Sequence, residues 1–273
     1  MDVYSQGAQL ASMQITRAFS TSFSSAITLF SKDIQQDIYN IYGLVRVADE
    51  VVDTYCGADA DKVLALLEQE VYSALNRNFS ANIIVHAFCQ TAQQYRIDPT
   101  LIAPFFESMR MDLTKKSYKA NEYDQYIYGS AEVVGLMCLK IFTANDETSY
   151  KQLQKGACAL GSAFQKVNFL RDIKDDYETR GRYYFPEGSF EAFDDKQKNK
   201  IITDIEADFK VAKTAISRLP DSARFATRLA FDYYNELLNI LKKTSAVNIK
   251  QHRVSVSRTT KLRLLARAKL YGK

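Results

Sequence analysis

Paired aspartates are the residues of this 273-residue chain whose type and spacing could do chemistry. The spacing Asp-x-x-x-Asp occurs four times, at Asp33/Asp37, Asp49/Asp53, Asp172/Asp176 and Asp204/Asp208. On a helix, residues four apart are neighbours, and two like charges there repel unless a cation bridges them. Because the chain holds twenty aspartates, chance alone gives about one or two such pairs. Each pair therefore has to be judged by the residues around it.

The residues around the first and the last pair predict solvated helix faces. Asp33 and Asp37 lie among lysine and glutamine residues, and Asp204 and Asp208 lie among threonine, glutamate and lysine residues. Charged residues with polar neighbours are mostly exposed. We expect neither pair to take part in chemistry.

Asp49 and Asp53 lie on a segment that is otherwise apolar. Projected at about 100° per residue, a polar stripe roughly 60° wide is formed by Tyr42, Arg46, Asp49 and Asp53. A buried carboxylate has to be paired or to hold a metal, and one arginine does not neutralise two carboxylates. A metal site is therefore the favoured interpretation, and a buried ion pair is the alternative.

The segment around Asp172 and Asp176 repeats this arrangement. Within roughly 80° of one another on a helix lie Gln165, Asn168, Asp172, Asp175 and Asp176. The alternative is an acidic helix end exposed to solvent, because residues 174–178 are highly charged. Each stripe also has an arginine beside it, Arg46 or Arg171, so the two stripes together are more specific than either alone.

The two acidic stripes favour Mg²⁺ bound to a diphosphate. Hard oxygen ligands suit Mg²⁺, which takes one or two carboxylates and completes its shell with water and substrate phosphate. The two histidines, His86 and His252, lie far apart, which disfavours a His-rich metal site, and we expect His86 to be a core residue. The sequence has neither a G-x-x-x-x-G-K-[ST] loop nor a G-x-G-x-x-G motif. Two acidic helices across a bundle would suit ionisation of an allylic diphosphate in an apolar cavity with aromatic walls.

Helices are the elements that must position these residues. The chain has four prolines and ten glycines, too few for the many turns of an all-β fold, so we predict an all-α protein. Hydrophobic periodicity predicts helices at about 8–19, 31–55, 60–76, 80–95, 100–117, 122–144, 147–178, 194–217, 221–243 and 258–271. The longest interior break is the loop 179–193. No linker rich in Pro, Gly or Ser divides the chain, so we expect a single domain over 1–273.

The charge of the chain is unevenly distributed. After Glu236 there are ten basic residues and no acidic one, whereas the rest of the chain carries 26 basic and 32 acidic residues. A basic C-terminal segment, 242–273, implies an anionic partner such as phosphate, a membrane surface or nucleic acid. Basic residues flank an apolar stripe within it, formed by Leu262, Leu265, Ala266 and Leu270. Such a pattern is typical of a helix in a membrane interface, and a final helix packed on the body is the alternative.

Cysteine usage and the start of the chain predict a cytoplasmic protein. The four cysteines show no C-x-x-C spacing, and the first residues show no signal peptide. No stretch approaches the roughly 18 apolar residues of a membrane span. We expect reduced thiols and a protein that is soluble or at most membrane-associated.

These motifs resemble those of the squalene/phytoene synthase family. The matching segments follow the family order over most of the chain and include Phe19-Ser-Thr-Ser-Phe23, Tyr42-x-x-x-Arg46-x-x-Asp49-Glu-Val-Val-Asp53, Tyr126-Ile-Tyr128-Gly-Ser-Ala-Glu-Val-Val-Gly135-Leu-Met137, Gln165-x-x-Asn168-Phe-Leu-Arg171-Asp172-Ile-Lys-Asp-Asp176 and Arg180-Gly-Arg182-Tyr-Tyr-Phe-Pro186. Weaker matches are Tyr234-x-x-Leu-Leu238 and Arg253-Val-x-Val. One departure is Lys174, where many members have a small residue. The resemblance implies an all-α isoprenoid synthase fold with two aspartate motifs that bind Mg²⁺ across a central cavity.

The resemblance also implies a role for each matching residue. Mg²⁺–diphosphate would be bound by Asp49, Asp53, Asn168, Asp172 and Asp176. Diphosphate oxygens would be held by Ser22, Arg46, Gln165, Arg171 and Arg253. The substrate cavity would be lined by Phe23, Tyr42, Tyr128 and Tyr234. The four aspartates, Tyr42 and Arg171 are the expected catalytic residues.

The implied reaction is the head-to-head (1′–1) condensation of two identical allylic diphosphates through a cyclopropylcarbinyl diphosphate. Residues within the motifs look more like the phytoene-forming than the squalene-forming members, which implies two C20 (geranylgeranyl) diphosphates and carotenoid biosynthesis. We expect Mg²⁺ dependence with Mn²⁺ able to substitute, no NADPH, no nucleic acid, and possible peripheral contact of the basic C-terminus with anionic membrane. The alternatives are a dehydrosqualene or squalene synthase using C15 (farnesyl) diphosphate, a non-catalytic relative acting in protein assembly, and a helical module binding RNA or lipid through 242–273.

Overall fold

The computed structural model describes residues 2–19, 26–55, 57–186 and 188–271, and most of these are helical. In chain order the helices are α1 (Val3–Phe19), α2 (Lys32–Asp53), α3 (Ala60–Arg77), α4 (Ile83–Gln94), α5 (Pro99–Thr114), α6 (Ala120–Ile127), α7 (Val133–Phe142), α8 (Glu147–Arg180), α9 (Asp195–Ile216), α10 (Asp221–Lys243), α11 (Ala246–Gln251) and α12 (Arg258–Tyr271). A π-helical turn, Tyr128–Glu132, joins α6 to α7. Within the described ranges, β-type pairing is confined to an isolated bridge between Ser117 and Tyr183. The all-α prediction is confirmed.

Caps and a left-handed residue explain several helix boundaries. Asn82 begins α4 by accepting hydrogen bonds from two backbone N–H groups, and Asp146 begins α8 in the same way. Helix α8 ends at Gly181, whose φ of 64° lies in the left-handed region that favours glycine. Each predicted helix occurs within a few residues of its expected place, although α1 begins at Val3 and the short α11 was not predicted.

The segment 122–144 is not the single helix that the sequence predicts, because the π-helical turn interrupts it. This turn lies against α5: a Cβ atom on Gly129 would lie 2.1 Å from the carbonyl oxygen of Pro104. Only glycine permits such an approach of two helices. The extra residue of a π-helical turn also rotates the faces of the helices on either side relative to each other. This rotation decides which side chains of the segment face the interior.

Helices α2 and α8 form the framework of the site. The 34-residue α8 packs against α7, α9, α10 and α11, and α2 packs against α1, α4, α5 and α7. Large aromatic side chains fill the core between α2 and the helices that pack against it. They include Tyr39, Phe88, Phe105 and Phe106. The described helices share this core, and the assignment of 1–273 to one domain stays a prediction.

One aspartate assigned to a solvated face is buried. Asp37 is inaccessible because α1 and α4 cover that side of α2, and it accepts hydrogen bonds from Thr91 Oγ1 at 2.7 Å and from Tyr95 OH at 3.0 Å. In the pair Asp204/Asp208 too, one carboxylate is exposed and the other is partly buried. Asp204 is largely exposed, whereas Asp208 is half-buried and pairs with Lys166 Nζ at 2.8 Å. The prediction of solvated faces is therefore wrong for Asp37 and Asp208, because packing against neighbouring helices was not visible in the local sequence.

The prediction that His86 is a core residue is confirmed. Its ring is buried between the hydroxyl of Ser5, at 3.1 Å from Nε2, and the backbone N–H of Ser80, which donates to Nδ1 at 3.4 Å. These contacts satisfy both ring nitrogens within the core. In the part of the chain that the structure describes, none of the helices has the length and apolarity needed to cross a bilayer.

Candidate active site

A cavity of about 1410 Å³ opens between α2, α5, α7, α8 and α10. The polarity of the cavity lining changes along α2 and α8. On α8 the lining residues run from Leu153 and Leu160 to Asp172 and Asp176, and on α2 they end at Asp53. The cavity therefore has a long apolar part and a polar end at which both aspartate motifs lie.

Arg180 joins the two motifs. Its Nε atom lies 3.3 Å from Asp53 Oδ1, and its Nη1 atom lies 3.1 Å from Asp176 Oδ1. Asp53 also pairs with Arg182 Nη1 at 2.7 Å. The second aspartates of the two motifs are thus brought together by one arginine at the end of α8.

The first aspartate of each motif has its own arginine partners. Asp49 pairs with Arg46 Nη1 at 2.9 Å. Asp172 pairs with Arg171 and accepts a hydrogen bond from Arg253 Nε at 2.6 Å. The predicted diphosphate-binding arginines therefore all contact an aspartate of the predicted metal site.

Burial sets the acidity of these carboxyl groups. It raises the pKa of Asp49 and of Asp176 to about 7, and their nearest arginines offset only part of the effect. Burial also acts to raise the pKa of Asp172, but hydrogen bonds and charges from Arg171 and Arg253 outweigh it and lower the pKa. A cation bound near Asp49 or Asp176 would favour their charged forms.

The oxygen donors at the polar end fit Mg²⁺. Among the described residues, no three His, Cys, Asp or Glu side chains cluster closely enough to hold a metal by themselves. Mg²⁺ does not need such a cluster, because it takes one or two carboxylates and completes its shell with water and substrate phosphate. The donors that line the cavity in this way are Asp49, Asp53, Asn168, Asp172 and Asp176. Their chemistry, hard oxygen without His or Cys, matches that ion.

Other predicted residues lie on the cavity wall. Tyr42 and Gln165 line it, and the hydroxyl of Tyr234 donates to Asn168 Oδ1 at 3.2 Å. The ring of Tyr234 also stacks on Phe164 with 3.9 Å between the centroids. An aromatic surface therefore borders the polar end. Ser22 and Phe23 lie outside the described residues.

The structure places Tyr126, and not the predicted Tyr128, on the cavity lining. Tyr128 lies outside the cavity lining and is 39% exposed, whereas Tyr126 is buried and lines the cavity. The π-helical turn causes this, because it places Tyr126 on the same face as Ala131 and Gly135. A regular helical projection of the segment could not identify this face.

Three further residues at the polar end were not predicted as site residues. Asp112 of α5 lines the cavity, as do Arg180 and Arg182, which stood in a matching motif without an assigned role. Asp112 has no acidic partner at helical spacing, so the spacing of the aspartates does not mark it. The available signal was its position on the apolar face of α5, seven residues after the buried Phe105.

The C-terminal helix α12 borders the mouth of the cavity. Arg258, Lys261 and Leu265 are among the lining residues, and Lys261 Nζ lies 5.3 Å from the ring centroid of Tyr233 on α10. Leu262 is 66% exposed. The alternative of a final helix packed on the body therefore holds for part of α12, while Leu262 is exposed.

The sequence model of the squalene/phytoene synthase family matches residues 16–260, which include both aspartate motifs. The chain belongs to this family. Its relatives include the 15-cis-phytoene synthase of Enterobacter agglomerans, which is 27% identical over 91% of this chain and 90% of its own length. Phytoene synthase 3 of Zea mays is 27% identical over 94% of this chain, and the 15-cis-phytoene synthase of Pantoea ananas is 30% identical over 61%. The chain spans about half to two thirds of the length of the plant and fungal relatives that it matches.

Solved structures of family members share the fold. A dehydrosqualene synthase covers 98% of this chain, and 97% of its own chain is matched, with a TM-score of 0.83 and 23% identity. The squalene synthase of Alicyclobacillus acidocaldarius covers 89% of this chain, and 96% of its own chain is matched, with a TM-score of 0.76 and 21% identity. The isoprenoid synthase fold implied by the motifs is confirmed. Members of this family are prenyltransferases that bind prenyl diphosphates.

Proposed function

We propose that this protein is a Mg²⁺-dependent phytoene synthase that condenses two C20 diphosphates. The observation that carries the proposal is the meeting of two aspartate motifs, joined by Arg180, at the polar end of an otherwise apolar cavity. Its relatives include phytoene synthases from plants and bacteria, which supports the C20 substrate.

The polar end would bind the diphosphate groups. Arg46, Arg171 and Arg253 supply guanidinium groups of the kind that hold phosphate oxygens with two parallel hydrogen bonds. Asp49, Asp53, Asn168, Asp172 and Asp176 would hold Mg²⁺. When bound, that ion supplies charge neutralisation for the departing diphosphate.

The first chemical step breaks the bond between C1 and the diphosphate oxygen of one substrate, and both electrons leave with the oxygen. The double bond of the second substrate then attacks the allylic cation, and loss of a proton gives a cyclopropylcarbinyl diphosphate. This intermediate loses its own diphosphate, rearranges and loses a second proton, which gives a C40 polyene. No hydride enters in this sequence, and so NADPH is not needed.

The cavity would protect the cations. Its apolar walls exclude water, which would otherwise trap a cation as an alcohol. Aromatic faces stabilise positive charge, and the stacked pair Phe164 and Tyr234 offers such faces next to the polar end. Tyr42 lines the same region, and burial raises the pKa of its hydroxyl well above the ordinary value, so that it stays protonated.

The likeness to a dehydrosqualene synthase structure gives the second candidate, condensation of two C15 diphosphates. Incubation of purified protein with C15 or C20 diphosphate, with and without Mg²⁺ and NADPH, separates the candidates. The proposal predicts phytoene from C20 diphosphate, required Mg²⁺, partial replacement by Mn²⁺ and no consumption of NADPH. Squalene formed at the expense of NADPH would contradict the cofactor prediction, and dehydrosqualene as the main product would favour the C15 reaction.

We also propose a cytoplasmic protein whose α12 touches anionic membrane. Basic residues and the exposed Leu262 lie on a helix at the mouth of the cavity. A hydrocarbon product leaves water readily for lipid, so a mouth that faces a membrane would ease its release. The non-catalytic relative is disfavoured, because a protein with only an assembly role has no need of two complete aspartate motifs.

A further inference from the structure

Asp112 is a buried carboxylate that three tyrosine hydroxyls contact. Tyr126 donates to Oδ2 at 2.6 Å, and Tyr184 and Tyr118 donate to Oδ1 at 3.0 and 3.2 Å. The side chain is 5% exposed although it lies on the cavity lining. These contacts join α5, α6 and the segment that follows α8. The carboxylate is therefore an anchor between separate parts of the site.

A buried guanidinium is shared between Asp112 and the first aspartate motif. Arg182 Nη1 lies 2.7 Å from Asp53 Oδ1 and 3.6 Å from Asp112 Oδ1, and Nη2 donates to the carbonyl oxygen of Val52 at 2.9 Å. The Arg182 side chain is also 5% exposed. A buried charge without a counter-charge is costly, so Arg182 needs an anion at all times. Asp112 can act as the counter-charge of Arg182 when a cation at the site neutralises Asp53.

We propose that Asp112 is a positioning residue of this site: it keeps Arg182 in place beside Asp53 and fixes the hydroxyl of Tyr126 at the cavity wall. The inference rests on the proposed function, since it assigns a task within that reaction. Asp112 acts through Arg182 and Tyr126 rather than on the substrate. Without its charge, Arg182 would be balanced by Asp53 alone and would compete with a cation for that carboxylate.

The chain offers a matched control. Asp37 is also buried and also accepts hydrogen bonds from two hydroxyl groups, those of Thr91 and Tyr95, but it is not part of the cavity lining. Asp37→Asn and Asp112→Asn remove the same charge from a buried site and preserve the shape of the side chain. A purely structural role for Asp112 predicts that the two variants behave alike.

The test measures metal binding and catalysis separately. Mn²⁺ binding in the presence of inorganic diphosphate is followed by electron paramagnetic resonance, and kcat and KM are measured with C20 diphosphate and Mg²⁺. Losing a residue that orients a metal ligand typically costs about 10–100-fold in metal affinity or activity. We expect Asp112→Asn to weaken Mn²⁺ binding and to lower kcat by about tenfold or more, with a much smaller change in KM. Asp37→Asn should leave both within about twofold of the wild type.

Unchanged Mn²⁺ binding and kcat in Asp112→Asn would overturn the proposal, as would equal losses in Asp37→Asn. A wild-type protein that binds no Mn²⁺ with diphosphate would overturn it too. If the wild type binds Mn²⁺ but forms no hydrocarbon, the proposed function fails while the binding measurement still decides the role of Asp112.

Arg182→Lys tests the route through Arg182. If Asp112 acts on the metal through this side chain, Asp112→Asn should weaken Mn²⁺ binding little further when Arg182→Lys is already present. Additive losses would overturn that route. Should Asp112→Asn fail to fold, Tyr126→Phe, which removes the hydroxyl that Asp112 fixes at the cavity wall, must lower kcat, and a normal kcat would overturn the proposal.

Discussion

Asp172→Asn removes one negative charge from the polar end of the cavity without changing the shape of the side chain. In the structure this carboxylate pairs with Arg171 and accepts a hydrogen bond from Arg253 Nε at 2.6 Å. The substitution removes an oxygen ligand for Mg²⁺ and leaves two guanidinium groups with one counter-charge fewer. The two arginines still bind the diphosphate of the substrate. The metal is bound less well, so it stabilises the departing diphosphate less in the transition state.

We therefore expect kcat to fall far more than KM changes. A catalytic metal contributes several kcal/mol of charge stabilisation in the transition state. At 1.36 kcal/mol per factor of ten, a loss of about 3–4 kcal/mol lowers kcat by about 10²–10³-fold. Interactions present equally in ground and transition states set KM, and the two arginines supply these, so KM should stay within about threefold.

The assay is steady-state formation of hydrocarbon at saturating Mg²⁺, with Asp204→Asn as control. The Asp204 side chain is 57% exposed, and without it the buried Lys166 Nζ keeps Asp208 as a carboxylate partner at 2.8 Å. Its kcat should stay within about twofold of the wild type. A kcat of Asp172→Asn within threefold of the wild type, or an equal loss in Asp204→Asn, would contradict the assignment of Asp172 to the metal site.

The remaining predictions concern the cavity wall, stability and the membrane. Tyr126→Phe should lower kcat, whereas Tyr128→Phe should not, because only Tyr126 lines the cavity; equal effects in steady-state assays would contradict this assignment. Burial raises the pKa of Asp37 above the ordinary value of 3.8, so the folded state holds this proton more tightly than the unfolded state does. The stabilisation from this proton is present below the unfolded pKa and is lost as the pH rises through the raised folded value. Between these two pKa values, urea unfolding should show that the stability of Asp37→Asn rises relative to that of the wild type as the pH rises. A stability difference that does not change with pH would contradict this prediction. Sedimentation with anionic but not with neutral vesicles is expected for the wild type, weakened by Leu262→Gln; equal or absent binding to both vesicle types would retire the membrane proposal.

The fold could be predicted from the sequence because helical signals are local. Hydrophobic periodicity, the caps Asn82 and Asp146, and the scarcity of Pro and Gly all act over a few residues. The two aspartate motifs were found for the same reason, since each is a stripe on a single helix. The polar end of the cavity follows once these helices are placed side by side.

The residues that sequence reasoning missed depend on contacts between distant segments. Asp112 reaches the site through Arg182, seventy residues away along the chain, and no spacing rule connects them. The burial of Asp37 depends on α1 and α4, and the exchange of Tyr128 for Tyr126 depends on a π-helical turn. This turn lies where Gly129 meets α5, a contact that the sequence of the segment alone does not reveal.

The proposed reaction is the head-to-head condensation of two C20 diphosphates in the cavity that carries the two aspartate motifs. The most direct test supplies purified protein with Mg²⁺ and an equimolar mixture of C15 and C20 diphosphates, and measures the ratio of C40 to C30 hydrocarbon by mass spectrometry. Some C30 product is compatible with this proposal, because a C15 chain is short enough to enter a cavity that holds a C20 chain. We expect phytoene as the main product. A strong preference for C30 hydrocarbon would contradict the substrate assignment, and the absence of any hydrocarbon would contradict the proposed reaction itself.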